Sequence, residues 1–103
     1  MDSQVSAKRV VSLLRRLEEI LEAEGGGLWL PGIQATRAAG EESLASGQAK
    51  QAMSRMSSIY RGMHQGPGGF DDFFVWRDSL EERTEANREL GALKDELWGA
   101  LGS

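Results

Sequence analysis

"SQVSAKRVVSLLRRLEEILEAEGGG", residues 3 to 27, holds Val10, Leu13, Leu14, Leu17, Ile20 and Leu21 at helical spacing. At about 100° per residue these six fall in one stripe, while Lys8, Arg15, Glu18, Glu19 and Glu22 lie away from it. The pattern predicts a helix over 3–24, with Asp2 or Ser3 as N-cap and Gly25, Gly26 and Gly27 ending it. Arg15 and Glu19, one turn apart, are expected to solvate its outer face. A stripe of this kind needs other apolar helices to cover it, and the rest of the chain supplies them.

Outward from that helix, "LWLPGIQATRAA" (28–39) predicts a short helix from Trp29 or Pro31 to Ala39, with Pro31 in its first turn and Trp29, Leu30 and Ile33 inward. Gly40 to Ser46 then reads as a connection with Leu44 buried. Residues 46–63 repeat the amphipathic pattern. Ala49, Ala52, Met53, Met56, Ile59, Tyr60 and Met63 share one face, and Lys50, Gln51, Ser54, Arg55, Ser58 and Arg61 share the other. Three methionines on one face are read as core packing ahead of an adaptable binding groove.

A last helix is expected from Ser79 to Leu101. "SLEE" (79–82) forms a capping box, and Leu90, Leu93, Leu97 and Leu101 point inward with Trp98 on the shoulder. Gly91 in its interior implies that a backbone or ring passes close by. Asn87, at the edge of the apolar stripe, is expected to anchor a nearby loop by hydrogen bonds.

Between the third and last helices lies "GMHQGPGGFDDFF" (62–74), followed by "VW". Gly62 to Gly69 read as a sharp helix exit, Phe70 and Phe73 as plugs into the core, and Asp72 as a turn-capping residue. "FFVW" (73–76) is aromatic and β-branched, which predicts a short extended segment bringing Phe73, Phe74 and Trp76 together. The fold class is thus all-α: one domain over 1–103, a small bundle of three to four helices with a glycine-rich turn and a short extended segment before the last helix.

Composition narrows the function. The 103 residues support a single core, and 40% hydrophobic with 27% charged residues is a globular composition. Without cysteine there is no disulfide, thiolate metal site or cysteine nucleophile. The N-terminus interleaves charges with apolar residues, unlike a secretory signal, and no run reaches the roughly 20 apolar residues of a membrane span. A cytoplasmic protein without a membrane partner is the expectation. A net charge of −4 argues against nucleic-acid binding.

Catalytic parts are scarce. His64 is the only histidine, no GxSxG elbow or GK[ST] loop occurs, and adjacent Asp71 and Asp72 seldom converge on one substrate bond. No enzyme, metal or cofactor is expected. The competing reading is a small ligand-binding, metal-binding or hydrolytic domain built on Arg61, His64, Asp71 and Asp72, and a third is a homodimer through the methionine face. Binding to one specific protein is preferred. Residues 70–103 hold nine acids against four bases, a surface suited to a basic partner. Candidate contacts are Glu41, Glu42, Asp78, Glu81, Glu82 and Glu85, with Trp76 and Trp29 as aromatics outside the core. For Glu81 and Glu82, complementing the helix dipole is preferred to partner contact.

"YRGM" (60–63), "PGGFDDFFV" (67–75) and "EANRELGALKDELW" (85–98) together resemble a group of small bacterial helical proteins of unknown function. In their pattern a helix ends in Tyr-x-Gly-Met, a Gly-Ser-Phe-Asn-Asp turn follows, and the last helix carries Asn-x-x-Leu-x-x-Leu with a late aromatic. Tyr60, Gly62, Met63, Gly69, Phe70, Asp72, Asn87, Leu90, Leu93 and Trp98 align with it. The departures are an inserted "HQGP" and Gly69 and Asp71 where the pattern has Ser and Asn. Some proteins of this kind look like immunity proteins encoded beside bacterial toxins. The resemblance therefore implies an immunity-type protein that neutralises a cognate toxin, with the acidic C-terminal third meeting the basic surface common in nuclease toxins.

Overall fold

In the computed structural model, which describes residues 3–63 and 73–102, four helices cover most of the chain. They are α1 (Ser3–Glu24), α2 (Leu30–Ala45), α3 (Ala49–Gly62) and α4 (Leu80–Leu97), the last closing in a π-helical turn, Trp98–Gly102. The architecture is an all-α bundle. Helix α1 touches each of the other three, and the most extensive packing lies between α2 and α3. Its apolar stripe is wide because it serves several neighbours: Ala7 and Val11 are buried alongside Val10, Leu14, Leu17, Ile20 and Leu21.

Two left-handed glycines make the tight corners. Gly25 (φ +80°) ends α1, and the next amide, Gly26 N–H, donates to Leu21 O at 2.9 Å. Gly47 (φ +73°) ends α2 in the same way, with Gln48 N–H donating to Ser43 O at 2.8 Å. Both are the six-to-one closures that satisfy the last carbonyls of a helix. Each places the following helix against the one just finished.

The second helix is longer than its sequence suggests. It runs through Gly40 to Ala45, so the expected connection over 40–46 is helix, and α3 starts at Ala49 instead of Ser46. Gly40 is not a breaker but a contact surface: a Cβ there would fall inside the van der Waals envelope of the Met56 thioether. One end of α2 repeats the arrangement, since a Cβ on Gly32 would meet Met63 Sδ at 2.9 Å. The glycines let the α3 methionines lie directly on the α2 backbone, and Met56 and Tyr60 are fully buried there, beside Ile33. Met53, Met63, Ile59 and Leu44 are half-buried.

Helix α4 joins this core mainly by its second half, with Ala86 of the first half packed partly buried against it. Leu90, Leu93, Leu97 and Leu101 are buried as expected, whereas no residue from 80 to 89 is. The π-helical turn is held from α3, where the Ser57 hydroxyl and Arg61 Nε (3.1 Å) both donate to Leu101 O. Gly91 departs from expectation. No described atom lies within 4 Å of a Cβ built on it, so neither a backbone nor a ring passes there among the described residues.

A further correction concerns Glu18. The sequence places it on the outer face of α1, but it is only 8% exposed and Arg37 of α2 grips both its oxygens, one of them at 3.0 Å. Arg15, expected to pair with Glu19, reaches Glu41 at 2.6 Å instead, and Arg37 also donates to Glu41 at 3.1 Å. Four alternating charges therefore seam α1 to α2. Glu18 lies seven residues after Val11, on the flank that faces α2.

Candidate functional site

Residues 73–77 run extended across the bundle between α3 and α4. Their side chains alternate: Phe73 and Val75 are buried, while Phe74 and Trp76 are 57% and 60% exposed. This is the period of two that an extended chain imposes. Phe73 inserts against the α1–α2 corner, its ring centroid 5.3 Å from that of Trp29, with the ring edge 3.1 Å from where a Gly26 Cβ would be. The expected gathering of Phe73, Phe74 and Trp76 is thus split, one ring inward and two outward.

Asn87 is the anchor foreseen in the sequence. Its Oδ1 accepts from Val75 N–H at 2.7 Å, and its Nδ2 donates to Val75 O at 2.7 Å and to Arg83 O at 2.8 Å. A single amide side chain thereby pairs with Val75 as a neighbouring strand would. Two further α4 side chains extend the attachment. Lys94 Nζ donates to Phe73 O at 2.6 Å, and the Arg83 guanidinium donates to Arg77 O at 3.2 and 3.3 Å. The same guanidinium sits 3.9 Å from the Trp76 ring centroid and holds the indole in place by a cation–π contact.

Arginine–carboxylate bridges tie this assembly to α1. Arg77 donates to both oxygens of Glu24 at 2.6 and 2.7 Å, Arg16 to both of Glu89 at 2.6 Å, and Arg9 to Glu96 at 2.6 Å. The hydrogen bond from Arg77 holds the Glu24 carboxyl below its usual range, and that from Arg16 does the same for Glu89. For Glu41, desolvation opposes ionisation, but the hydrogen bonds and charges of Arg37 and Arg15 outweigh it and the carboxyl again lies low.

This pairing redistributes the charge of the C-terminal third. Glu89 and Glu96 are neutralised by α1, and Glu41, expected to be a free acid, is engaged by Arg15 and Arg37. Glu42 is exposed, with Arg55 3.6 Å away. Asp78, Glu81 and Glu82 are exposed and make no ion pair with a described residue, and Glu85 meets only Arg88 on the surface at 3.2 Å. Apart from Asp95, exposed near the other end of the helix, the described acids of this third that are left without an ion pair or with only a surface one cluster at the start of α4. There the Ser79 hydroxyl accepts from Glu82 N–H at 3.0 Å as the predicted cap, and Leu80 is 72% exposed.

Of the other predicted residues, Trp29 is half-buried on Phe73, and Gly62 is the exposed last residue of α3. Its backbone is not left-handed, so the turn there does not require glycine. Arg61, a member of the ligand-site reading, holds the Leu101 carbonyl. His64, Asp71 and Asp72, and the structural residues Gly69 and Phe70, lie outside the described residues. Among the described residues no three His, Asp or Glu side chains converge as a metal site, and no helix is long and apolar enough to cross a membrane. No protein family, curated protein or solved structure matches the chain.

Proposed function

We propose that this chain is a non-enzymatic protein-binding domain that meets one specific basic partner through the face formed by the extended segment and the start of α4. The observation that carries the reading is the coincidence of two exposed aromatics, Phe74 and Trp76, with the exposed acids Asp78, Glu81 and Glu82, which make no ion pair with a described residue. Aromatic anchors beside uncompensated charge combine contact area with electrostatic steering. Arg83 and Asn87 fix that face in advance, so little order has to be gained on binding. The immunity-type role implied by the resemblance of residues 60–98 narrows the partner to a toxin with a basic surface.

The test is growth protection. Co-expression with a toxin encoded beside this gene should restore growth. Trp76→Ala combined with Glu81→Lys and Glu82→Lys should abolish the protection while leaving the circular-dichroism melt in place. Protection that survives the triple variant rejects this face as the binding surface.

A further inference from the structure

The extended segment 73–77 behaves as a strand with one edge filled and the other, among the described residues, largely open. In an extended chain the N–H and C=O of alternate residues point to opposite edges. Those of the odd residues turn to α4: Phe73 O meets Lys94, Val75 N–H and C=O meet Asn87, and Arg77 O meets Arg83. Side chains of α4 thus occupy the place of a neighbouring strand. On the opposite edge, Trp76 O accepts from Arg77 Nη1 at 2.8 Å, and Phe74 N–H, Phe74 O and Trp76 N–H have no hydrogen-bond partner among the described residues. Both residues are more than half exposed. An exposed, unpaired strand edge is a template for another chain.

We propose that Phe74–Trp76 receive an extended segment of a basic protein partner as an added β-strand, in the manner of β-augmentation. Phe74 N–H and C=O would form one paired rung and Trp76 N–H the start of the next. The outward faces of Phe74 and Trp76, with ring centroids 6.5 Å apart, would receive the side chains of alternate partner residues. Charge selects the occupant. Asp78, Glu81 and Glu82 follow directly on the strand and the chain carries a net charge of −4, so a segment carrying lysine or arginine meets opposite charge, whereas a second copy of this chain brings more of the same sign. The proposal rests on the acidic face being the binding surface and adds the geometry of what binds there.

The probe is a capped peptide of about six residues alternating lysine and valine, the length of an ordinary strand. It is accompanied by two versions N-methylated on every second residue, one for each edge, and by a version with glutamate for lysine. Each is titrated into the isotopically labelled full chain and followed by NMR. The parent peptide and one methylated version should bind, and the other should lose about tenfold in affinity or more, because methylation removes the N–H that would donate to Phe74 O and its methyl groups crowd the edge that the Phe74 and Trp76 N–H groups would donate to. In the complex the Phe74 and Trp76 amides should exchange with solvent about tenfold more slowly, while Val75, already bonded to Asn87, changes little. Equal binding of both methylated peptides, with shifts confined to Asp78, Glu81 and Glu82, overturns strand addition but leaves the acidic face standing. Equal binding of the glutamate peptide, with Phe74 and Trp76 still protected, removes the basic partner and keeps the strand. No shift with any peptide overturns the proposal.

Discussion

The α2–α3 pair and the attachment of α4 to α1 are built by opposite means. Helices α2 and α3 approach until methionine sulfur rests on glycine backbone at Gly32 and Gly40, with Met56, Tyr60 and Ile33 sealed between them. The first half of α4 contributes only the half-buried Ala86 to the core and is held by an amide clamp and arginine–carboxylate bridges. Close packing is sensitive to volume, while polar attachment at a surface is sensitive to hydrogen-bond pattern and to charge. The first region fixes the bundle; the second leaves a surface open for use.

Substitutions should separate the two regimes. Met56→Ala, which empties a fully buried site, is expected to cost about 2–5 kcal/mol in chemical denaturation. Gly40→Val forces volume into the same contact from the other side and should cost about 1–3 kcal/mol. If Gly40→Val is neutral, the tight approach of α2 and α3 is wrong. Asn87→Ala should cost about 1–3 kcal/mol by leaving both Val75 backbone groups unpaired. Asn87→Asp should not rescue it, because a carboxylate keeps the acceptor for Val75 N–H but sets negative charge against the Val75 and Arg83 carbonyls. A full rescue by Asp would show that the donor half of the clamp contributes nothing.

Acid sharpens the comparison further. Glu24, Glu41 and Glu89 have folded values below the ordinary 4.5, so below that pH the unfolded chain binds more protons than the native one. Their contribution is complete at neutral pH and is lost as pH falls through the lowered values. The melting temperature should hold down to about pH 5 and then drop, and Glu24→Gln with Glu89→Gln should flatten the drop. An unchanged acid slope in the double variant would mean that these bridges are solvated out. The smallest effect belongs to Glu81→Lys with Glu82→Lys, expected to move stability by only about 0.5 kcal/mol, since these side chains are exposed and make no ion pair with a described residue.

Much of this was legible in the sequence, and the failures share a cause. Helix α1 and the leucine face of α4 followed from periodicity because each stripe records burial directly. Asn87 stood out as a polar residue on the edge of an apolar stripe, and its partner lies only 12 residues away. Gly40 and Gly91 were both misread, in opposite senses. A helical glycine signals lost propensity, and only the neighbouring element says whether the vacated space is filled, by Met56 in one case and by no described atom in the other. Glu18 reads as a surface acid because its partner Arg37 sits on a different helix, as does Arg15, the partner that ties Glu41 to α1; only the Arg37–Glu41 pair, at i,i+4 within α2, has a spacing that local pairing rules consider. The open edge of 74–76 was invisible for the same reason, since which edge is open depends on where α4 places Asn87.

The Arg9–Glu96 bridge joins residues 87 apart in the chain, and Arg16–Glu89 residues 73 apart, whereas the α2–α3 contacts Gly40–Met56 and Gly32–Met63 join residues 16 and 31 apart. Folding order follows from that difference. The α2–α3 hairpin closes a short loop and can form early, while α4 must bring distant ends of the chain together and docks late. In native-state hydrogen exchange the extended segment and the first turns of α4 are therefore the part that opens first, at a free energy below that of global unfolding.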